Sequence, residues 1–329
     1  MSISLFYHRL YIRVVATEDT NFDAWTGAVL RNNLLYAAEQ TFLPEENISL
    51  YKYINRFTLE EKHPLYKQLS KGFPLPYYLF LHHPVNISSE ETLVRKNEII
   101  SFSLVLIGPV AKYFQYFIES LRYMCNRGFG LGMKQFELLD IYEVSPKGKR
   151  IVAATNEDFT RQLLFPVYIS DFEENNTIKP RSLINIVFES PVCLIKQKNK
   201  DKKNPGFQEK SNAFPSFYQL VRTAAYRFAK LNILYAHPDD FEAALKIDEE
   251  IEEYINDATK FILESAEIKK VSLQSTIRER TETRIPLEGY IGTLSFRGNY
   301  KKYIPLLKFM EELGVGHELV YGLGKYKIK

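Results

Sequence analysis

The stretch 286-PLEGYIGTLSFRGNYKKYIPLLKFMEELGVGHELVYGLGKYKIK-329 decides how the chain is read. Residues 290–296 alternate as a strand and Gly298-Asn299 makes a turn. Tyr303, Ile304, Leu307, Met310 and Leu313 then recur at the three- to four-residue interval of an amphipathic helix. That helix runs into two glycine pairs, Gly314-Val-Gly316 and Gly322-Leu-Gly324, and residues 325–329 form a closing strand. Recurrence gives this common device its weight. Residues 104–138, LVLIGPVAKYFQYFIESLRYMCNRGFGLGMKQFEL, parallel residues 294–328, LSFRGNYKKYIPLLKFMEELGVGHELVYGLGKYKI. Each has a strand, a turn glycine (Gly108, Gly298), a Lys-Tyr step (Lys112-Tyr113, Lys302-Tyr303), an apolar helix and a G-x-G loop. Similarity between halves points to a duplicated unit.

Working outward, residues 3–17 read as a strand that carries Leu5 and Tyr7 and, after a slip, Leu10, Ile12 and Val14. A helix follows with Trp25, Val29, Leu30, Leu34 and Ala37 on one side and Asp23 as its N-cap. Residues 41–75 are irregular, 77–82 and 98–107 are strands, and the helix after Gly108-Pro109 ends at Gly128-Phe-Gly130-Leu-Gly132 before a strand over 135–144. That order is βαββαβ. The second half repeats it with a strand over 183–194, a helix over 216–234, an acidic helical insertion over 239–263, a strand over 266–278 and the terminal segment. The expected fold is α+β: two tandem ferredoxin-like (βαββαβ, RRM-like) domains with glycine-rich loops after the second helix of each. The expected boundaries are 1–147 and 181–329, joined over 148–180 by a connecting hairpin of strands 150–155 and 164–169.

Of 329 residues, 45% are hydrophobic and 25% charged, which suits a soluble globular protein. No stretch approaches the roughly 20 apolar residues of a membrane span. The start, MSISLFYHRLYIRVV, lacks the solid apolar core of a signal peptide, so a cytoplasmic protein is expected. Cys125 and Cys193 have neither disulfide nor metal-site spacing, and no metal or cofactor is expected. Net charge is only +3, but basic residues gather at 147–150, 196–210 and 278–284 and acidic ones at 239–257, an arrangement that permits one basic face. The 22 Tyr and 23 Phe suit strands and stacking surfaces. Glycines after a helix leave backbone N–H groups open to form an anion-binding nest, or else simply cap the helix and turn the chain. The terminal loop follows a helix, unlike a Rossmann loop, and lacks the Gly-Lys-Ser/Thr of a P-loop.

With these halves and the loop GVGHELVYGLG, the chain resembles the RAMP superfamily of CRISPR-associated proteins. Within it, the chain is most similar to the endoribonucleases that cut precursor CRISPR RNA into guide RNAs. WTGAVLRNNLLY, PLPYYLFLHHP, ISFSLVLIG, GFGLG, SLINIVFESPVCL, RTAAYRFAKLNILY and PLEGYIGTLSFRGNY carry the likeness along nearly the whole chain. The resemblance implies metal-independent cleavage. A ribose 2′-OH attacks the adjacent phosphate and leaves a 2′,3′-cyclic phosphate and a 5′-OH. This needs a base, an acid for the leaving oxygen and a cation for the phosphorane charge. A histidine with a tyrosine and a lysine or arginine nearby would supply all three. The family places its histidine in or just after the first helix, which singles out His63 with Lys52 and Tyr53. His8 reads as structural, His82-His83 as open either way and His237 as a turn. Gly314, Gly316, His317, Gly322, Gly324 and Lys325 are the expected phosphate grip. Arg222 and Arg227, about 140° apart around their helix, join them as RNA-binding candidates, as do Arg278, Arg280 and Arg284 at one-face strand spacing and the basic loop 196–203. The expected partners are precursor CRISPR RNA and other CRISPR-associated proteins, with a homodimer open and no membrane. The alternatives are a non-catalytic RAMP subunit that binds guide RNA in an effector complex, and an unrelated α/β protein whose glycine loops are only turns.

Overall fold

In the computed structural model the described residues are 5–22, 25–56, 63, 66, 74–82, 92–154, 160, 162–173, 183–194, 214–274, 286–317 and 319–329. His83, Arg278, Arg280, Arg284 and the basic loop 196–210 lie outside them. The first half runs β1 (Phe6–Ala16), β2 (Thr20–Phe22), α1 (Thr26–Gln40), β3 (Phe42–Leu43), β4 (Ile48–Ser49), α2 (Leu50–Asn55), β5 (Tyr77–Leu81), β6 (Thr92–Val94), β7 (Ile99–Ile107), α3 (Phe114–Arg127) and β8 (Phe136–Ser145). Next come β9 (Gly148–Ala154) and β10 (Val167–Tyr168). The second half runs β11 (Leu183–Val192), α4 (Phe217–Tyr235), α5 (Phe241–Ile255), β12 (Ile262–Gln274), β13 (Pro286–Arg297), α6 (Ile304–Leu313) and β14 (Tyr326–Ile328).

The two main sheets are antiparallel, in the orders β5-β7-β1-β8-β9 and β12-β13-β11-β14. Within each βαββαβ unit the spatial order is second, third, first, fourth strand, so both halves are ferredoxin-like. The expected hairpin over 148–180 does not form. β9 pairs with β8 and β10 with β1, so both strands extend the first sheet instead of pairing with each other. The N-cap of α1 is Trp25, not Asp23, which lies outside the described residues.

Two cores account for the irregular strand pattern. Leu10, Ile12, Val14, Phe102, Leu104 and Leu79 face α1 and α3 in one core. Tyr7, Tyr78, Phe80, Val105 and Ile107 belong to a second core, made with α4, α5 and α6. The slip read between Tyr7 and Leu10 is therefore no bulge, since β1 pairs with β7 without a register shift from Tyr7 to Val15. Odd positions at this end of the sheet are apolar because the second half covers that face. Phe309 of α6 packs 5.1 Å from Tyr7 and 5.6 Å from Phe228. Each fully buried side chain of this size contributes about 1.5–3 kcal/mol.

Glu143 anchors the chain leaving the first sheet. It is fully buried and accepts from the Leu164 and Phe165 amides and from Arg150 Nε at 2.7–3.1 Å, with His8 Nδ1 at 2.7 Å. Burial alone would raise its pKa, but the hydrogen bonds from His8, the two amides and Arg150 outweigh it and draw the carboxyl down to about 2. His8 thus has a structural role. A depressed carboxylate stabilises the fold above its ordinary pKa, and that contribution is lost as pH falls toward the folded value. Glu143→Gln should therefore cost about 3 kcal/mol at neutral pH in urea unfolding. The gap to wild type should narrow below about pH 4.5; a gap unchanged down to pH 3 would contradict this role.

Candidate functional site

The terminal glycine loop is wedged between the halves. Trp25 Nε1 donates to the Tyr321 carbonyl at 2.6 Å, and the Tyr78 hydroxyl donates to the Leu323 carbonyl at 2.6 Å. The approach is backbone to backbone. A Cβ on Gly27 of α1 would collide with the Tyr321 carbonyl, and one on Gly322 would lie 3.1 Å from the Leu79 carbonyl of β5. All four loop glycines have positive φ, +74° to +100°. The amides of Gly314, Val315, His317, Gly322, Gly324 and Lys325 donate to protein acceptors, so they hold the loop in place and are not open to an anion. Within the loop His317 is exposed, while Lys325 is buried, with Nζ 3.1 Å from Glu312 and 2.7 Å from the Glu311 carbonyl.

Arg227 is half-buried, and its Nε donates to the Leu313 carbonyl at the C-terminus of α6. Arg222 pairs with Glu252 at 3.2 Å, 4.8 Å over the Tyr226 ring. Of the expected catalytic set, Lys52 is exposed on α2. Its neighbour Tyr53 is buried, with the Tyr113 ring 4.4 Å and the Arg56 guanidinium 4.1 Å away, and burial raises its pKa. Glu46 joins this cluster through Arg56 at 2.8 Å and the Tyr113 hydroxyl. His63 is buried in a different setting, 5.1 Å from the Phe241 ring of α5, and burial lowers its pKa. Tyr53 and His63 thus pack against different neighbours.

The family comparison is decisive for the second half. Residues 186–326 match the family model described as CRISPR-associated endoribonuclease Cas6. Residues 186–326 are thus similar to a Cas6-type endoribonuclease domain. Residues 5–164 match a model described as an N-terminal domain. No curated protein matches the chain. Among solved structures, a Cas6 product complex aligns at TM-score 0.53 and 10% identity over 98% of this chain and 100% of that one. Thermus thermophilus Cas6 aligns at 0.50 and 10%, over 99% of each chain. A chain of a partial Cas6-RT-Cas1–Cas2 complex aligns at 0.56 and 13%, over 100% of this chain and 47% of that one. At such identities these structures speak for the fold, the tandem ferredoxin-like arrangement of Cas6.

Sequence reasoning passed over the face of the first sheet opposite α1 and α3. Period-2 spacing puts Arg9, Tyr11 and Arg13 of β1 on it. Tyr11 is in register with Tyr142, and Lys149 Nζ lies 3.8 Å from the Tyr142 ring. Arg9 contacts Glu312 at 3.0 Å, and Arg13 Nε donates to Asp140 at 2.8 Å. His82 lies 5.0 Å from Tyr11, its Nε2 2.7 Å from the Ser103 hydroxyl. Burial, with Arg9 and Lys325 nearby, draws His82 down to about 4. The signal was present in RLYIR, but the positions were read only for their apolar half.

Among the described residues no group of three His, Cys, Asp or Glu gathers in metal-binding geometry, and no helix is long and apolar enough to cross a membrane. Gly324 gives the test of the wedge. At φ +81°, a methyl there would collide with the Val315 carbonyl. Gly324→Ala should cost at least about 1–3 kcal/mol in unfolding free energy, and an unchanged denaturation midpoint would refute the tight packing described.

Proposed function

We propose that the protein cuts CRISPR repeat RNA without a metal ion, by attack of a ribose 2′-OH on the adjacent phosphate. The products are a 2′,3′-cyclic phosphate and a 5′-OH. The Cas6 family match over residues 186–326 supports the endoribonuclease class. The observation that carries RNA as substrate is the open sheet face, where Tyr11 and Tyr142 are half-buried and interleaved with Arg9, Arg13 and Lys149. Rings stack on unpaired bases while cations follow the backbone, so such a face suits a single strand. RNA and other CRISPR-associated proteins are the partners this reading assigns. The likeness to a chain of the partial Cas6-RT-Cas1–Cas2 complex supports the latter.

For the chemistry, His63 is the proposed base. Burial favours its neutral form, the form that accepts the 2′-OH proton. Lys52, exposed one residue before Tyr53, supplies positive charge near the phosphorane. Tyr53 keeps its proton at neutral pH because burial raises its pKa, as a donor to the leaving oxygen requires.

Repeat RNA incubated in EDTA should be cut, and a single 2′-deoxy substitution at the cut site should abolish cleavage. Binding of both RNAs with cleavage of neither would favour the non-catalytic RAMP subunit, and no binding at low salt would remove both readings. Single-turnover rates should rise with pH to a midpoint below 6.5, the ordinary histidine value, then stay flat. His63→Ala should lower them by about 10²–10⁴-fold; a full rate in that variant moves the base elsewhere. Tyr142→Ala should weaken RNA binding by about 1–3 kcal/mol, the worth of one stacked base, and unchanged affinity would take RNA off this face.

A further inference from the structure

Arg31 occupies an unusual position. It projects from α1 one turn after Gly27, the residue against which the Tyr321 carbonyl of the glycine loop lies. Its guanidinium sits 5.4 Å from the centroid of the Tyr321 ring, so the loop of the second half forms one wall beside it. The Tyr77 hydroxyl of β5 is next to it. Burial pushes that hydroxyl up to about 12, while the Arg31 charge and a hydrogen bond from its guanidinium pull the other way and Tyr51 is close enough to be felt. Tyr51 is exposed and precedes Lys52 on α2. Arg31 is therefore held where α1, α2, β5 and the glycine loop converge.

Its bonding is incomplete. Nη1 donates to Asn32 Oδ1 at 2.9 Å, while Nε is buried with no hydrogen-bond acceptor. No carboxylate pairs with Arg31 among the described residues. Arg9, Arg13, Arg56, Arg150 and Arg222, by contrast, each meet a carboxylate. A guanidinium has N–H donors in a fixed fork that matches the oxygens of a phosphate. Leaving a half-buried one without an anion is costly unless an anion arrives from outside. The residues around it are chemically suited to that anion, since tyrosine hydroxyls can donate to phosphate oxygens and no acidic side chain competes among the described ones.

We propose that Arg31 binds the phosphate at the cleavage site, beside the Tyr321 ring. Arg31 touches a non-bridging oxygen and stabilises the charge that builds there as the 2′-OH attacks. This rests on the endoribonuclease reading above and adds a catalytic residue to it. It also gives the glycine loop a defined task. By fixing Tyr321, the second half sets the plane of a guanidinium that the first half supplies.

The test compares wild type, Arg31→Ala and Arg31→Lys in three measurements. In single-turnover cleavage of repeat RNA, Arg31→Ala should fall about 10²–10³-fold, as for loss of one donor to a developing oxyanion. Millimolar guanidinium should restore part of that rate, and Arg31→Lys should lie between the two. In binding of 2′-deoxy RNA, the slope of log affinity against log salt should shrink by about 0.7, the value of one single-strand phosphate contact. Thermal unfolding should stay within a few degrees of wild type. A wild-type rate for Arg31→Ala would overturn the proposal. So would a loss that guanidinium fails to rescue and that follows a lowered unfolding midpoint, which marks Arg31 as interdomain packing only. If wild type binds but does not cut, the endoribonuclease reading fails while the salt slope still decides the phosphate contact. An unchanged slope removes that contact too.

Discussion

Two buried hydrogen bonds hold the molecule in its arrangement. Trp25 and Tyr78, both of the first half, donate to the Tyr321 and Leu323 carbonyls of the terminal loop. A carbonyl buried between domains without a donor costs about 1–3 kcal/mol, so the loop is stable there only when these donors meet it. The four left-handed glycines let the backbone approach that closely. The C-terminal dozen residues of the chain thereby fix the start of α1, nearly 300 positions earlier in sequence.

Several features depend on that docking. The second half covers one end of the first sheet, so Tyr7, Tyr78, Phe80 and Val105 form a core with α4 and α6. Among the described residues the rest of that face is half-exposed and carries the alternating arginines and tyrosines of β1. At its border Lys325, Glu312 and Arg9 form a charge chain across the halves, and Lys325 also lies 4.1 Å from the Phe80 ring. Buried charges of this kind persist because each meets an opposite charge or a carbonyl. The half that matches the endoribonuclease model and the half before it are thus one mechanical unit, with the proposed phosphate ligand at their seam.

The topology was legible because the repeat was written in order and spacing: strand, turn glycine, Lys-Tyr four residues on, helix and G-x-G follow one another in residues 104–138 and again in 294–328. The glycine loop was recognised but the engagement of its amides was not, since a sequence displays glycines without showing where their amides point. The slip in β1 could not be resolved locally, because the second face of that strand is buried by residues more than 200 positions away. The supposed hairpin over 148–180 failed because its strands have other partners, β9 the adjacent β8 and β10 the distant β1. Nothing in the sequence marks Arg31 out on its helix, and only the arrival of Tyr321 and Tyr77 beside it sets it apart. His63, Lys52 and Tyr53 came from likeness to a family, not from spacing; His63 lies against Phe241 and Tyr53 against Tyr113.

The claim that the terminal loop locks the two halves is tested most directly by amide hydrogen exchange on wild type and Gly322→Ala. If the loop is the lock, the substitution speeds exchange in residues 26–30 of α1 and 77–81 of β5 as well as in the loop itself. Faster exchange confined to residues 314–326, with α1 and β5 protected as before, would contradict it.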